Sequence, residues 1–193
     1  MSSSLQGSEI TTVFEFVQKV CGECQKILFG LDTAFIGGSG NNGQTQWQNP
    51  YGNQVTKDGS ASLQFPEKWV IQRLFRIYEE KNESDGIKHD SRVRKCVMIT
   101  FWGEGISEPI ITAGKITYKD GEKNKAQWDL WELWKQGLDD KNSDISGNTY
   151  DLQSLSGDHP DKYEAAQWFS RSLVEITDGN ALQEILITPL QTL

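Results

Sequence analysis

The chain has 193 residues, a formal net charge of −8, and a hydrophobic content of 36% that includes seven Trp, eight Phe and five Tyr. This length and apolar content suit one folded domain and exclude a wholly disordered chain. No apolar run approaches the roughly 20 residues of a membrane helix, and the first residues lack the positive charge and apolar segment of a secretory signal.

Acidic residues are concentrated in the last part of the chain, because residues 120–193 hold 14 of the 27 Asp and Glu but only six Lys and Arg. This charge argues against direct nucleic-acid binding, which depends on dense positive charge. The three cysteines form no spaced framework, and an odd number of this kind favours a reducing compartment. We therefore expect a cytoplasmic protein.

The first predicted element is a long helix capped by Ser8 and ended by Gly30, since apolar residues recur there at steps of three and four. Its CxxC motif, Cys21 to Cys24, lies in the middle of the helix and on the apolar face. A redox motif belongs at a helix start, and a zinc site needs two more ligands. The pattern therefore indicates buried core thiols. The apolar positions are Val13, Phe16, Val17, Val20, Cys21, Cys24, Ile27, Leu28 and Leu31.

Residues 37–62 are rich in Gly, Asn, Gln, Ser and Thr, which predicts a long loop or a hairpin insertion. In the hairpin interpretation, 44–48 and 53–57 flank a type I turn at 49–52. The run 38–43 matches the glycine spacing of a dinucleotide-binding loop, but no strand precedes it and no helix follows. A flexible loop is the favoured interpretation.

The central region is predicted to hold one helix and two strands. Residues 66–78 show helical spacing and begin with Pro66, which a first helical turn tolerates. Residues 93–102 are nearly continuously apolar and rich in β-branched side chains, as in a central strand. Residues 110–118 predict a second strand, so the two should form an antiparallel hairpin.

The C-terminal part is predicted to contain a helix over 124–136, a strand over 149–155 and a second helix over 158–176. Residues 181–187 fit a short helix or a final strand. No internal repeat or linker interrupts the chain. We therefore expect one α+β domain over residues 1–193, with several helices packed on a small antiparallel sheet.

No nucleotide-binding, zinc-protease, esterase or calcium-loop motif occurs, so the sequence predicts no catalytic residue, cofactor or metal. Glu104 and Glu108 lie at the connection between the two central strands, with Lys115 in the second strand. These residues are the basis of an alternative, a small hydrolase or nuclease. His89 and His159 are interpreted as surface or capping residues.

A tryptophan cluster on the predicted helix 124–136 is the leading candidate site. Three indoles at steps of three residues span roughly 120° of the helix, and two leucines widen the apolar arc beyond what one core-facing stripe needs. The indoles could equally be core residues or a partner surface bordered by carboxylates. The candidate partner-binding residues are Trp128, Trp131, Trp134, Asp129 and Glu132.

A second candidate is a basic group, Arg92, Arg94 and Lys95, which could bind an anion or pair with the acidic C-terminal part of the chain. The leading functional hypothesis is a non-enzymatic regulatory adaptor or complex subunit that binds a protein partner or a second copy of itself. Besides the hydrolase or nuclease, a third hypothesis is an acidic nucleic-acid mimic that occupies the groove of a nucleic-acid-binding protein.

Overall fold

The computed structural model describes residues 7–37, 47–52, 54–58, 70–80, 92–103, 106–119, 126–139, 149–156 and 162–193. The strands are β1 (Trp47–Gln48), β2 (Thr56–Asp58), β3 (Arg73–Glu80), β4 (Val93–Thr100), β5 (Ile110–Tyr118), β6 (Tyr150–Ser156) and β7 (Tyr163–Ser172). The helices are α1 (Gly7–Phe35), α2 (Ala126–Asp139), α3 (Gly179–Leu182) and α4 (Thr188–Thr192), with a 3₁₀ turn at Leu173–Glu175 and a π turn at Gln183–Ile187.

Within the described residues, the seven strands form one antiparallel sheet in the order β1-β3-β4-β5-β7-β6, and β2 also pairs with β3. The predicted α+β class is therefore confirmed. None of the described helices is both long enough and apolar enough to cross a membrane.

Helices cover both faces of the sheet. Strand β4 shows the division, because Val97 and Ile99 pack with α1 and the C-terminal helices, whereas Cys96 and Met98 pack with α2. Successive strand residues point to opposite faces, and here both faces are buried. Such strands appear in the sequence as continuous apolar runs rather than as alternating patterns.

The prediction of the first helix is confirmed, but Ser8 lies inside the helix rather than at its cap, and the predicted end at Gly30 is wrong. Helix α1 continues to Phe35. A Cβ atom at Gly30 would lie 2.5 Å from Leu182 Cδ2, so the glycine allows α3 to approach α1 closely. The strands predicted over 93–102, 110–118 and 149–155 are confirmed, as are the antiparallel hairpin and the helix over 124–136.

Two predicted helices are wrong where the structure describes them. Residues 73–80 form strand β3 and residues 163–172 form strand β7. In β3 the two arginines are buried beside carboxylates, Arg73 with Asp58 and Arg76 with Asp32. A hydropathy pattern counts every arginine as an exposed residue, even one that is buried in an ion pair. The remaining apolar residues of the strand therefore recur at steps of three and four, as they would in a helix.

The predicted hairpin over 44–57 is also wrong in its pairing. Strands β1 and β2 do not pair with each other; both lie antiparallel to β3, with Gln48 opposite Glu79 and Asp58 opposite Arg73. The predicted turn is present between them, and Gly52 adopts a positive φ of 57°. The segment is therefore one interrupted edge strand, and the glycine-rich run 38–43 lies outside the described residues.

Candidate interaction surface

Helix α1 is longer than the sheet it covers. Its 29 residues span roughly 44 Å, whereas the eight residues of β3 span about 26 Å. The C-terminal end of α1 is held at one end of the sheet, because the ring of Phe35 stacks on Tyr78 with centroids 4.9 Å apart. The N-terminal part therefore extends past the other end, and all of residues 7–19 are exposed. We call residues 7–19 the overhang.

An ion pair between a buried arginine and a half-buried aspartate fixes α1 on the sheet. Arg76 Nε donates a hydrogen bond of 2.8 Å to Asp32 Oδ1, and its Nη2 contacts Asp32 Oδ2. The hydroxyl of Tyr78 donates to Asp32 Oδ1 at 2.9 Å. Burial, followed by the charge of Asp32, raises the pKa of Tyr78 above its ordinary value of 10.0. The direction of the overhang is thus set by a charge-assisted contact as well as by apolar packing.

The overhang carries the same apolar stripe that forms the core further along α1. At 100° per residue, Ile10, Val13 and Val17 fall within the same arc as the buried residues Cys24 and Leu31. The side chains of the overhang are nevertheless uncovered, with exposed fractions from 37% at Val17 to 66% at Phe16. The other exposed apolar residues of the overhang are Ile10, Val13 and Phe14.

An apolar groove of about 420 Å³ opens beside the overhang, where α1 crosses the end of the sheet. Two hydrogen bonds hold its walls: the indole Nε1 of Trp102 donates to Ile71 O at 3.2 Å, and the main-chain N of Leu173 donates to Pro109 O at 2.9 Å. We call it the sheet-end groove. It is lined by Phe16, Val17, Val20, Cys21, Val70, Ile71, Phe101, Trp102, Pro109, Leu173 and Val174.

A second groove of about 510 Å³ follows α1 along the β2 edge and shares Cys21 and Ile71 with the sheet-end groove. It is more polar, because the ion-paired Asp32 and Arg76 and the exposed Lys57 contribute to its lining. The two grooves therefore adjoin along one side of α1, the sheet-end groove being apolar and the second one partly charged.

The two thiols of α1 are placed for packing in the core rather than for nucleophilic or redox chemistry. Cys24 is buried and Cys21 is half-buried, as expected for a CxxC motif on a core-facing stripe. Burial, followed by the nearby Cys21 and Glu23, raises the pKa of the Cys24 thiol from 9.0 to about 11. A reactive thiol needs the opposite shift. Within the described ranges, no three or more His, Cys, Asp and Glu side chains are grouped to hold a metal.

The structure separates the five candidate residues of the tryptophan cluster. Trp134 is 2% exposed, and Asp129 is buried, where it accepts a hydrogen bond of 2.8 Å from the hydroxyl of Tyr118. These two residues belong to the core rather than to a surface. Trp131 is half-buried, whereas Trp128, at 39%, and Glu132 are exposed.

The partly buried indole of Trp131 has an internal partner on each face. The guanidinium carbon of Arg73 lies 3.5 Å from the centroid of its ring, and the ring of Trp134 stacks on it at 4.7 Å. Much of the apolar arc that the sequence shows on α2 is therefore used inside the molecule. Trp128 contacts Phe75, with ring centroids 5.8 Å apart, and remains accessible at the edge.

The three candidate anion-binding residues do not share a surface. Arg94 is buried against Glu79, and Arg92 is exposed, with its Nη1 atom 3.5 Å from Glu164 Oε2. Lys95 points to the opposite face of the sheet from Arg94. It is buried and donates hydrogen bonds of 2.7 and 3.1 Å to the main-chain oxygens of residues 190 and 191.

Burial, together with the charge of nearby Lys115, lowers the pKa of Lys95 from 10.5 to about 8. Of the two carboxylates in the hydrolase or nuclease alternative, Glu108 lies just before β5, and Glu104 lies outside the described residues, as do His89 and His159. Their pairing stays a prediction.

The overhang was missed from the sequence because its residues were assigned to the core with the rest of the stripe. A usable signal exists, namely the length of the pattern. An apolar stripe that runs from residue 10 to residue 35 is longer than a strand of ordinary length can cover. No protein-family model, curated protein or solved structure matches this chain.

Proposed function

We propose that this chain is a protein-interaction module, an adaptor or small subunit of a complex, which binds a protein partner through the overhang and the sheet-end groove. The observation that carries the proposal is the continuation of one apolar stripe from a buried half into an exposed half of α1. Exposed apolar patches of several hundred Å² mark interaction sites in folded proteins.

The composition of the overhang supports the same proposal. Thr11, Thr12, Val13 and Val17 are β-branched and have low helix propensity. A helical segment of about this length is marginal in water without packing. The threonine hydroxyls bond to the main chain of the overhang itself: Thr11 Oγ1 donates to Gly7 O at 3.1 Å, and Thr12 Oγ1 donates to Ser8 O at 2.9 Å. A partner that covers the stripe would supply the missing stabilisation.

The proposal also includes a cytoplasmic location and a regulatory or scaffolding role. All three cysteines are free, which suits a reducing compartment. On α2, the exposed side chains of Trp128 and Glu132 offer a smaller accessory contact on the other face of the sheet.

Affinity capture from the native host tests the proposal with the wild-type chain, a Phe14→Ser/Phe16→Ser variant and a Leu152→Ser control. Leu152 is half-exposed on β6, at the opposite edge of the sheet from β1. A polypeptide retained by wild type and control but lost with the double variant is the expected result. Recovery of the same polypeptides with all three chains would show that the overhang does not bind them.

Hydrogen exchange measured with and without the captured polypeptide gives an independent readout. The amides of residues 7–19 should exchange rapidly in the free chain and become protected in the complex. The amides of β5, in the centre of the sheet, should not change and act as the internal reference.

A further inference from the structure

We infer that the partner of the overhang is a second copy of this chain, bound as an antiparallel pair of α1 helices around a two-fold axis. This inference rests on the proposed function and specifies its partner. Three properties of the overhang carry it: the spacing of its stripe, its charge and its exposed apolar area.

The spacing of the stripe is that of a helix seam. Ile10, Val13, Val17 and Val20 follow steps of three, four and three, the pattern of heptad positions a and d. In an antiparallel pair with Val13 opposite Val17 of the second copy, Ile10 falls opposite Val20 of the second copy. Each contact occurs twice, as a two-fold interface requires. The stripe is therefore complementary to itself in one particular register.

The same register fills the sheet-end groove. Val17 and Val20 line that groove, so the first turns of one α1 would occupy the groove of the other copy. The antiparallel direction also places the two sheets at opposite ends of the helix pair. A parallel pair would bring both sheets to the same end and would leave both grooves open.

The charge of the overhang permits close approach of two copies. Each copy carries −8 overall, but the charged residues of the overhang are only Glu9, Glu15 and Lys19. By helical geometry Glu15 and Lys19 lie on the side of the helix opposite the stripe. Of the positions beside the seam that often hold partner-selecting charges, Phe14 and Phe16 are apolar, and Glu9 is the one charged residue of the overhang there. The seam positions themselves, Ile10, Val13 and Val17, carry no charge that would select a different chain.

The exposed area matches what a stable dimer needs. The two phenylalanines, each about two-thirds exposed, contribute roughly 270 Å². The half-exposed aliphatic residues Ile10, Val13, Val17, Val70 and Val174 add about 250 Å² more. A standard interface buries about 800 Å² per partner, of which roughly 450 Å² is apolar. One copy of the overhang and groove rim supplies that amount.

Sedimentation equilibrium of the purified full chain at micromolar concentration tests the inference. The wild type should show twice the chain mass of 21.8 kDa. A Val13→Ser/Val17→Ser variant should dissociate at least roughly 100-fold more readily, since four valine side chains leave the seam. Valine and serine have similar helix propensities, so the change acts on the seam. A Thr12→Ala/Lys19→Ala control on the opposite side of the helix should remain dimeric.

Disulfide formation tests the register. In a Cys21→Ser background, single Val13→Cys and Val17→Cys chains are oxidised separately and as a mixture. The antiparallel register brings positions 13 and 17 of different copies within disulfide range, so covalent dimers should form mainly in the mixture. Efficient cross-linking of either chain with itself would overturn the antiparallel arrangement.

Two results would overturn the inference as a whole. One is a wild-type chain that remains monomeric, and the other is a dimer that survives the Val13→Ser/Val17→Ser change. Either result is distinguishable from failure of the proposed function. A monomeric chain can still lose a captured polypeptide in the Phe14→Ser/Phe16→Ser variant, which would identify a different protein as the partner.

Discussion

The division of α1 into a buried and an exposed half predicts effects of very different size for two changes of similar chemistry. Leu31 is fully buried between α1 and the sheet, whereas Ile10 is exposed on the same stripe. Truncating a buried leucine to alanine removes its transfer free energy and leaves a cavity. Leu31→Ala should therefore lower the free energy of unfolding by about 3–4 kcal/mol. Ile10→Ala should lower it by about 0.5 kcal/mol or less in the monomer.

Urea unfolding followed by tryptophan fluorescence measures both values, read from the shift of the midpoint at constant slope. The titrations are made at a chain concentration low enough for the monomer to dominate. At higher concentration Ile10→Ala should cost more, because association stabilises only the folded chain. A loss above about 2 kcal/mol for Ile10→Ala, independent of concentration, would refute the assignment of residue 10 to the overhang.

The remaining predictions concern the contacts that hold the two helical layers on the sheet. Asp32→Asn should lower the free energy of unfolding by about 3 kcal/mol, because it leaves the buried Arg76 without its carboxylate. In a double-mutant cycle, Asp32→Asn should lower the free energy of unfolding of the Arg76→Met chain by much less. Between pH 8 and 10.5 the unfolded chain keeps the Lys95 proton that the folded chain releases. The stability of wild type should therefore rise with pH relative to Lys95→Met, by at most about 1.4 kcal/mol per pH unit, and parallel pH profiles of the two chains would contradict this. In the same unfolding assay, Trp134→Ala should lower the free energy of unfolding by about 4 kcal/mol and Trp128→Ala by about 1 kcal/mol. Equal losses of stability would show that both indoles are core residues.

Elements with one dominant local signal were predictable from the sequence. Residues 93–102 are apolar and β-branched, and 110–118 follow a proline and a short break, so both strands and their antiparallel pairing could be assigned. The strands β3 and β7 could not, because their surroundings on both faces remove the alternation that identifies a strand. Arg76 is the clearest case, since its burial depends on Asp32, a residue 44 positions away.

What the amino-acid sequence by itself determined is therefore the α+β class, the long first helix and the continuity of its apolar stripe, because each depends on neighbours within a few residues. Only the tertiary structure decided which part of each apolar pattern is covered. The indole of Trp131 is partly covered because Arg73 reaches it from β3. The overhang of α1 is exposed because the sheet beneath it ends before the helix does. Both outcomes depend on the relative lengths and positions of elements far apart in the chain, which local periodicity does not encode.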